Sequence, residues 1–261
     1  DRQAAGAEFR YFDGTRSVVS VVDYDFALGT LNTASIFGNW YFDGGTALSA
    51  SADYRRSPFP LLENALVGQS GASLDELLRA FSEDELRDIA VDRTAETLNY
   101  SLGLSRPLGE RWQVNADITF TQLAEGPGSA GVLALPDSGR GYYAYASLVG
   151  SSLFREGDVS ILGLQFSDTE LTHVSTLYLD TRHPVGQRLR INPRLAVSLR
   201  EIAADDSRET FVTPSLRLLY RIGERYELEF EGGGDLGQRS GEGNADTRAY
   251  YLYAGYRADF R

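Results

Sequence analysis

The chain contains no cysteine and no methionine among its 261 residues. Without cysteine it can form no disulfide, no CxxC redox pair and no thiolate metal site. It also has no run that approaches the ~18 consecutive apolar residues of a membrane-spanning helix, and its mean hydropathy is −0.28. These absences exclude a disulfide scaffold and a helical membrane protein.

Positive charge is also scarce, since 25 Lys and Arg face 37 Asp and Glu and give a net charge of −12. Nucleic-acid binding needs a basic face, so we exclude nucleic acid as a partner. Neither a start methionine nor a signal peptide opens the chain, which we interpret as a processed chain or an excised domain. Two classes remain: a soluble β-protein and an outer-membrane β-barrel, whose strands hydropathy plots miss.

Apolar and polar residues alternate along most of the chain, as expected of strands with two different faces. Between residues 188 and 200, for example, the odd positions are apolar and the even positions are mostly polar. The pattern predicts strands near residues 17–27, 31–42, 46–56, 95–105, 111–121, 141–152, 158–167, 172–182, 188–200, 210–221, 225–233 and 247–260. Each is long enough to cross a bilayer, which takes ~9–11 residues.

The connections between these strands fall into two classes. Short glycine-containing turns are predicted at 43–45, 107–110, 155–158, 184–187 and 222–224, and longer polar connections at 57–94, 123–140, 201–209 and 234–247. Short turns at one end and long loops at the other are typical of outer-membrane barrels. We therefore predict an all-β fold: one transmembrane antiparallel up-and-down β-barrel of about twelve strands, forming a single domain over residues 1–261, with both termini at the periplasmic end. Residues 8–12 could add a strand, and because bacterial barrels favour even numbers this would require fourteen.

A soluble barrel with an apolar interior is the alternative to a membrane barrel. The polar faces carry bulky charged side chains, however, and aromatic residues concentrate near strand ends, as in the interfacial girdles of membrane barrels. The predicted girdle comprises Trp40, Phe42, Trp112, Tyr226, Tyr250, Tyr256 and Phe260. The expected location is the outer membrane of a Gram-negative bacterium, in contact with lipid and lipopolysaccharide.

Residues 58–94 break the alternation. Ser73 with Glu76, and Ser82 with Glu85, have the spacing of capping boxes, and apolar residues follow at helical intervals. We predict two short helices in an extracellular loop, with apolar faces formed by Leu74, Leu77, Leu78, Phe81, Leu86 and Ile89. They form either a folded surface cap or a plug over a pore.

Charged side chains lie on the predicted lumen-facing side of several strands. The set comprises Asp23, Asp25, Arg188, Arg190, Arg194, Arg200, Arg217, Arg221, Glu227, Glu229, Glu231, Arg257 and Asp259. Columns of opposite charge on neighbouring strands, about 4.8 Å apart, can interdigitate as ion pairs. The alternatives are a filled, salt-bridged lumen and a charged pore for anionic solutes. Pairing of the last strand with the first would bring Asp23 and Asp25 beside Arg257 and close the ring.

One pair of residues has the types needed for hydrolysis. His173 and Ser175 lie one pleat apart on the same strand face and resemble the Ser–His pair of outer-membrane phospholipases. The continuation Asn-Gly that follows the serine in that family is absent, and Asp168 is the only nearby group that could orient the histidine. The sequence therefore predicts no catalytic residues and no enzyme, with a lipid hydrolase as the alternative.

No cofactor or metal site is predicted. The acidic loop residues lack the spacing of a calcium loop. Gly232, Gly233 and Gly234 are not followed by the Lys-Ser/Thr of a phosphate loop and are interpreted as a bend, bulge or strand end.

Three segments resemble the C-terminal barrel domains of bacterial envelope proteins with tetratricopeptide repeats. They are residues 53–58 (DYRRSP), the helical stretch from 74–78 (LDELL) to 88–93 (DIAVDR), and residues 191–195 (INPRL). The resemblance implies an outer-membrane anchor that serves as an export or diffusion pore, as in relatives that export exopolysaccharides. It also implies a periplasmic repeat domain or secretion partner and the barrel-assembly machinery as partners. The chain departs from the usual assembly signal, because Arg261 follows the aromatic Phe260.

Overall fold

The computed structural model describes residues 3–57, 60–69, 73–124, 126–134, 139–241 and 245–258. Within these ranges thirteen strands form one antiparallel up-and-down sheet, in which each strand neighbours the next one along the chain. The strands are β1 Ala4–Phe12, β2 Arg16–Asp25, β3 Thr30–Tyr41, β4 Ala47–Ser57, β5 Ala95–Leu108, β6 Trp112–Leu123, β7 Arg140–Ser151, β8 Val159–Asp168, β9 Thr172–Val185, β10 Leu189–Ile202, β11 Ser207–Ile222, β12 Tyr226–Ser240 and β13 Ala245–Ala258. The all-β antiparallel prediction is confirmed.

The chain divides into two compact units. The first contains Asp1–Asp43, Ala47–Gly103 and Thr119–Tyr142, and the second contains Gly44–Thr46, Leu104–Ile118 and Tyr143–Arg261. Strands β1 to β4 and all the helices belong to the first unit, and β8 to β13 belong to the second.

The described residues form thirteen strands, where the sequence predicts about twelve and a possible additional strand at residues 8–12. The additional strand is β1, which pairs with β2 from Ala4 opposite Asp25 to Phe12 opposite Ser17. Asp13 builds the turn between them, since its carboxylate accepts hydrogen bonds from the backbone N–H groups of Thr15 and Arg16 at 2.8 and 2.6 Å. Because β2 is paired with β1 on one edge and with β3 on the other, it is not available to pair with the last strand. The predicted pairing of the last strand with the strand near residues 17–27 is therefore wrong.

Two of the predicted long loops are shorter than the sequence indicates. β10 continues to Ile202 and β11 begins at Ser207, while β12 continues to Ser240 and β13 begins at Ala245. The polar residues at these strand ends remain in the sheet because they pair across it: Glu201 faces Arg208, and Glu209 faces Arg239. Polarity alone therefore overestimates the length of these loops.

The three consecutive glycines lie inside β12 rather than at a bend. Gly232, Gly233 and Gly234 pair in register with residues of β13. A Cβ atom on Gly233 would come within 2.7 Å of the Tyr251 ring. The missing side chains therefore make room for aromatic rings that lie across the strand.

The two faces of the sheet in the second unit differ in chemistry. One face carries Leu162 and Leu164 of β8, Leu177 and Leu179 of β9, and Leu216 of β11, and all five side chains are exposed. We call this the apolar face. The opposite face of the same strands, the polar face, carries tyrosines, arginines and carboxylates that contact one another.

Buried apolar side chains are few. In the described ranges the buried hydrophobic residues are Ala65, Leu77, Leu86, Ile89, Ala90, Ala95 and Leu219. The first five form one cluster in the helical segment, supported by Leu62, Leu66, Phe81 and Ala130. As far as its residues are described, the sheet in the second unit thus has apolar side chains on its exposed face and no apolar core of comparable size.

The helical segment comprises a 3-10 helix Leu62–Leu66 and the helices α1 Leu74–Ala80 and α2 Glu83–Asp92. Both predicted capping boxes are present, with Ser73 and Ser82 as the N-caps. The backbone N–H of each serine donates to the glutamate three residues later, at 2.8 Å in both cases. None of the described helices has the length and apolar character needed to cross a membrane.

Candidate functional site

The polar face contains an ion-pair cluster centred on Arg217 of β11. Its Nε lies 2.6 Å from a carboxylate oxygen of Glu229 and 3.8 Å from one of Glu231, both on β12. The Tyr251 hydroxyl of β13 donates to Glu231 at 2.8 Å. Side-chain exposure is 31% for Arg217 and 23% for Glu229, so the pair is largely shielded from water. The strand alternation places all four side chains on one face, as the sequence predicts.

Two further arginines of the predicted charged set have partners that sequence reasoning missed. Arg194 of β10 lies 3.1 Å from Asp180 of β9, and Arg200 lies 3.4 Å from Glu209 of β11. Both acidic residues could have been found, because each shares the face of its arginine in an alternating strand. The arginines on this part of the face are thus matched by carboxylates.

The other members of the charged set occupy different environments. Glu227 lies opposite both Arg221 and Arg257 in the strand register. Arg190 lies on β10, and Arg188 lies in the turn before it, where its carbonyl accepts from the N–H of Arg221 at 2.8 Å. Asp259 is outside the described residues.

The two aspartates of β2 stabilise local structure. Asp25 is fully buried and accepts hydrogen bonds from the backbone N–H groups of Ala27 and Leu28, at 2.9 and 3.0 Å. Asp23 accepts a hydrogen bond from the Asn32 side chain at 2.7 Å. The hydrogen bonds of these carboxylates stabilise the turn between β2 and β3.

Two tyrosines also meet on the polar face. The hydroxyls of Tyr145 and Tyr178 are 2.7 Å apart, and their rings are stacked with centroids at 6.5 Å. Tyr178 covers Gly163 of β8, where a Cβ atom would come within 2.3 Å of the ring. Aromatic rings therefore fill part of the space over this face.

Four residues of the predicted aromatic girdle lie at strand ends beside short turns. Trp112 and Tyr226 begin β6 and β12, and Trp40 lies near the end of β3, followed by Phe42. Tyr256 lies near the end of β13, whereas Tyr250 lies in its middle. Phe260 is outside the described residues.

The helical segment is attached to the loop after β6. The Gln69 side chain donates to the carbonyl of Ala130 at 2.8 Å, and the Arg93 side chain donates to the carbonyl of Ser129. Of the predicted apolar helix residues, Leu77, Leu86 and Ile89 enter the buried cluster and Phe81 packs against it. Leu78 is exposed, and Leu74 lies outside this cluster. The helices bury their apolar residues within this segment and its neighbouring loop.

A second candidate site lies on the apolar face, where β8 and β9 meet at their shared turn. His173 Nδ1 is 2.7 Å from Asp168 Oδ1. The two residues are directly opposite in the register of the strands, as are Ser175 and Phe166. A neutral histidine that donates through Nδ1 has Nε2 as an acceptor. The structure thus places the Asp168 carboxylate against the His173 imidazole, whereas the sequence indicates only that the two residues are near each other.

The surroundings of His173 are polar towards the turn and apolar towards the middle of the strands. Across β10, Glu201 faces His173 and Leu199 faces Ser175. Glu201 is itself 3.0 Å from Arg208. Leu177 follows on the same face of β9. Ser175 therefore lies at the boundary between a charged cluster and the apolar face.

The described residues contain no group of three or more histidine, aspartate or glutamate side chains arranged to hold a metal ion. The carboxylates of Asp13 and Asp158, both at turns, accept hydrogen bonds from backbone N–H groups. The backbone N–H of Thr15, with further donors around it, lowers the pKa of Asp13 to about 2. Burial alone would raise the pKa of Asp158, but the backbone N–H groups of Arg155, Phe154 and Leu153 lower it overall.

Comparisons with known proteins give similarity at the level of structure. No family model matches the chain, and no curated protein matches it. A solved structure, OmpT (in-vitro folded), an outer membrane protein of Vibrio cholerae, is similar over 98% of this chain and 89% of its own, with 11% identity and a TM-score of 0.40.

The exclusion of an enzyme from the sequence is wrong. The sequence identifies Asp168 only as a group near His173, and the structure pairs its carboxylate with the imidazole at 2.7 Å. An imidazole held by a carboxylate, beside a serine, is a combination used for nucleophilic catalysis.

Proposed function

We propose that this chain is a β-barrel domain of the bacterial outer membrane, with the apolar face of its sheet against lipid. The observation that carries the proposal is the inverted distribution of side chains. Leu164, Leu177 and Leu199 are each more than half exposed, at 52%, 51% and 53%, while charged and phenolic groups contact one another on the opposite face. A water-soluble protein rarely exposes such a continuous apolar surface.

Lipid exposure requires that every backbone polar group is paired, so a sheet that spans the bilayer must close. In this proposal the short turns face the periplasm and the helical segment lies outside the cell. We expect the folded domain to resist sodium dodecyl sulfate and to migrate differently before and after boiling. A chain that is soluble and monomeric without detergent contradicts the proposal.

Within the envelope, the domain anchors a larger protein and contributes a pathway for export or diffusion. Its partners are the barrel-assembly machinery, lipid and lipopolysaccharide, and a periplasmic repeat domain or secretion partner. The matched charges around Arg217, Arg194 and Arg200 support a narrow, ion-paired pathway, because each arginine lies within 3.4 Å of a carboxylate.

Planar-bilayer recording tests the pathway. If the helical segment acts as a plug, we expect low conductance from the intact domain and a higher conductance after deletion of residues 62–90. The variant Leu78→Ser is a matched control, because it changes an exposed side chain of the same helical segment. Large, steady conductance that the deletion leaves unchanged would show an open pore without a plug.

A further inference from the structure

We propose that Asn192 and the arginines around it on the polar face form a binding site for an oxyanion that carries a hydroxyl group, of which inorganic phosphate is the simplest. The observation that carries this inference is a buried, unpaired acceptor in basic surroundings. Asn192 of β10 is 3% exposed, and its Oδ1 accepts no hydrogen bond from the described residues. The position of the site in a membrane pathway rests on the proposed function, whereas the binding of the anion does not.

The site lies where a proline interrupts the sheet. Pro193 has no backbone N–H to donate to a neighbouring strand, which is why proline is rare inside a central strand. Towards β9, where both strands are fully described, the pairing of β10 skips Asn192 and Pro193. Towards β11 the register continues, and Asn192 lies directly opposite Arg217. The interruption therefore falls beside the buried asparagine.

Four arginines lie next to Asn192 on the polar face, two on its own strand and one on each adjacent strand. They are Arg182, Arg190, Arg194 and Arg217. In the described residues, the carboxylates in contact with these arginines are Asp180, Glu229 and Glu231. Arg190 is exposed and forms no ion pair with any described residue. One positive charge is therefore left to attract an anion.

A buried donor lies beside the buried acceptor. Arg194 Nε is 3.1 Å from Asp180 but is not aligned to donate a hydrogen bond to it. A buried polar group without a partner destabilises the protein, and a ligand that pairs with it removes this penalty. The N–H of Arg194 requires an acceptor on the ligand, and Asn192 Oδ1 requires a donor. A protonated oxyanion supplies both, because its charged oxygens accept from guanidinium groups and its hydroxyl group donates.

Phosphate and sulfate distinguish this chemistry from attraction by charge alone. The two ions have the same tetrahedral shape, but near neutral pH phosphate carries at least one hydroxyl group and sulfate carries none. Sulfate would place a charged oxygen against Asn192 Oδ1 and leave that acceptor unpaired. We therefore expect sulfate to bind more weakly than phosphate. A site that selects by charge alone would bind sulfate at least as well.

Equilibrium dialysis with radiolabelled phosphate tests the site on the folded domain, in a non-ionic detergent at constant ionic strength. We expect saturable binding. Unlabelled phosphate should displace the label at about one tenth of the sulfate concentration, because one hydrogen bond to a buried, otherwise unpaired group changes affinity about tenfold. Absence of saturable binding, or equal displacement by the two anions, overturns the site.

Two substitutions separate the roles of charge and hydroxyl recognition. Arg190→Gln removes the unpaired charge and should weaken phosphate binding about tenfold. Asn192→Leu replaces the amide by an apolar group of similar volume and should abolish the preference for phosphate over sulfate. The control Ser198→Ala, on the same face of β10, should bind phosphate like the unmodified chain.

Unchanged phosphate affinity in Arg190→Gln overturns the proposal, as does a retained preference in folded Asn192→Leu. Arg190 is exposed, so its substitution should not prevent folding, and this variant decides the question if Asn192→Leu does not fold.

The membrane placement and the anion site can fail separately. Phosphate binding by a chain that shows no heat-modifiable migration would overturn the proposed function and leave the anion site intact. Heat-modifiable migration without phosphate binding would overturn the anion site alone.

Discussion

At the scale of single residues, the cluster around Arg217 shows how a charge is held on the polar face. Its guanidinium contacts Glu229 at 2.6 Å and Glu231 at 3.8 Å, with less than a third of each side chain exposed. Removing one partner leaves the other charge uncompensated in a place that water reaches poorly.

We therefore expect Arg217→Ala to lower the free energy of unfolding by about 1–2 kcal/mol. In a double-mutant cycle with Glu229→Gln, the coupling energy should be about 1 kcal/mol, measured by urea unfolding in detergent. Arg190→Ala is a control with an exposed arginine on the same face. Additive effects of the Arg217 and Glu229 substitutions would show that the pair contributes nothing.

Substitution by alanine should affect stability differently at two of the consecutive glycines of β12. A Cβ on Gly233 would meet the Tyr251 ring at 2.7 Å, whereas one on Gly232 would meet the exposed, flexible end of Leu252 at 3.1 Å. We expect Gly233→Ala to destabilise the domain by about 1 kcal/mol or more. Gly232→Ala should be neutral or slightly stabilising, because alanine restricts the unfolded chain. Equal unfolding midpoints for the two variants would contradict this account.

The sequence predicts correctly on which face of the sheet a side chain lies, but it predicts less well which side chains of neighbouring strands it contacts. Alternation places Arg217, Glu229 and Glu231 together, because a strand has a period of two. It does not reveal that Asp168 reaches His173 or that Asp180 pairs with Arg194. Those contacts depend on the register of neighbouring strands, which alternation constrains only to every second residue.

At the scale of elements, the helical segment folds around its own small core. Leu86 is fully buried there, among Ala65, Leu77, Ile89 and Ala90. Leu86→Ala should cost about 2–5 kcal/mol of local stability. We expect faster proteolysis within residues 62–92 and unchanged protection of the strands. Leu78→Ala, which truncates an exposed leucine, is the matched control, and equal cleavage of both variants would argue against this core.

The capping boxes make the stability of the same helices depend on pH. The backbone N–H groups of Ser73 and Ser82 lower the pKa values of Glu76 and Glu85 below their usual range. This stabilisation is fully present above the ordinary glutamate pKa and is lost as the pH falls through the lowered values.

Amide exchange in α1 and α2, corrected for intrinsic rates, should therefore increase between about pH 6 and about pH 3. The double variant Glu76→Gln/Glu85→Gln should lose most of this dependence, because glutamine does not titrate. The same pH dependence in the double variant would assign it to other groups.

The sequence predicts the helices better than the strand ends. Two capping boxes and a 3.6-residue period are local signals, and both helices begin where those signals place them. Strand ends depend on cross-strand partners, so β10 to β13 extend through polar residues that sequence reasoning assigns to loops. For β1 the sequence indicates only residues 8–12, because alanine and glycine interrupt the alternation in the first half of the strand.

At the scale of the whole molecule, the central claim is that the apolar face of the sheet contacts lipid. The absence of cysteine makes this directly testable, because each introduced cysteine is then unique. Single cysteines at positions 215, 216, 217 and 218 of β11 sample both faces of one strand. Each is labelled with an environment-sensitive fluorophore after reconstitution into vesicles.

Quenching by brominated lipid and by aqueous iodide then reports the surroundings of each label. Labels at positions 216 and 218, on the apolar face, should be quenched by brominated lipid and protected from iodide. Labels at positions 215 and 217, on the polar face, should escape the brominated lipid. Quenching by iodide at all four positions, without alternation, would contradict the membrane placement.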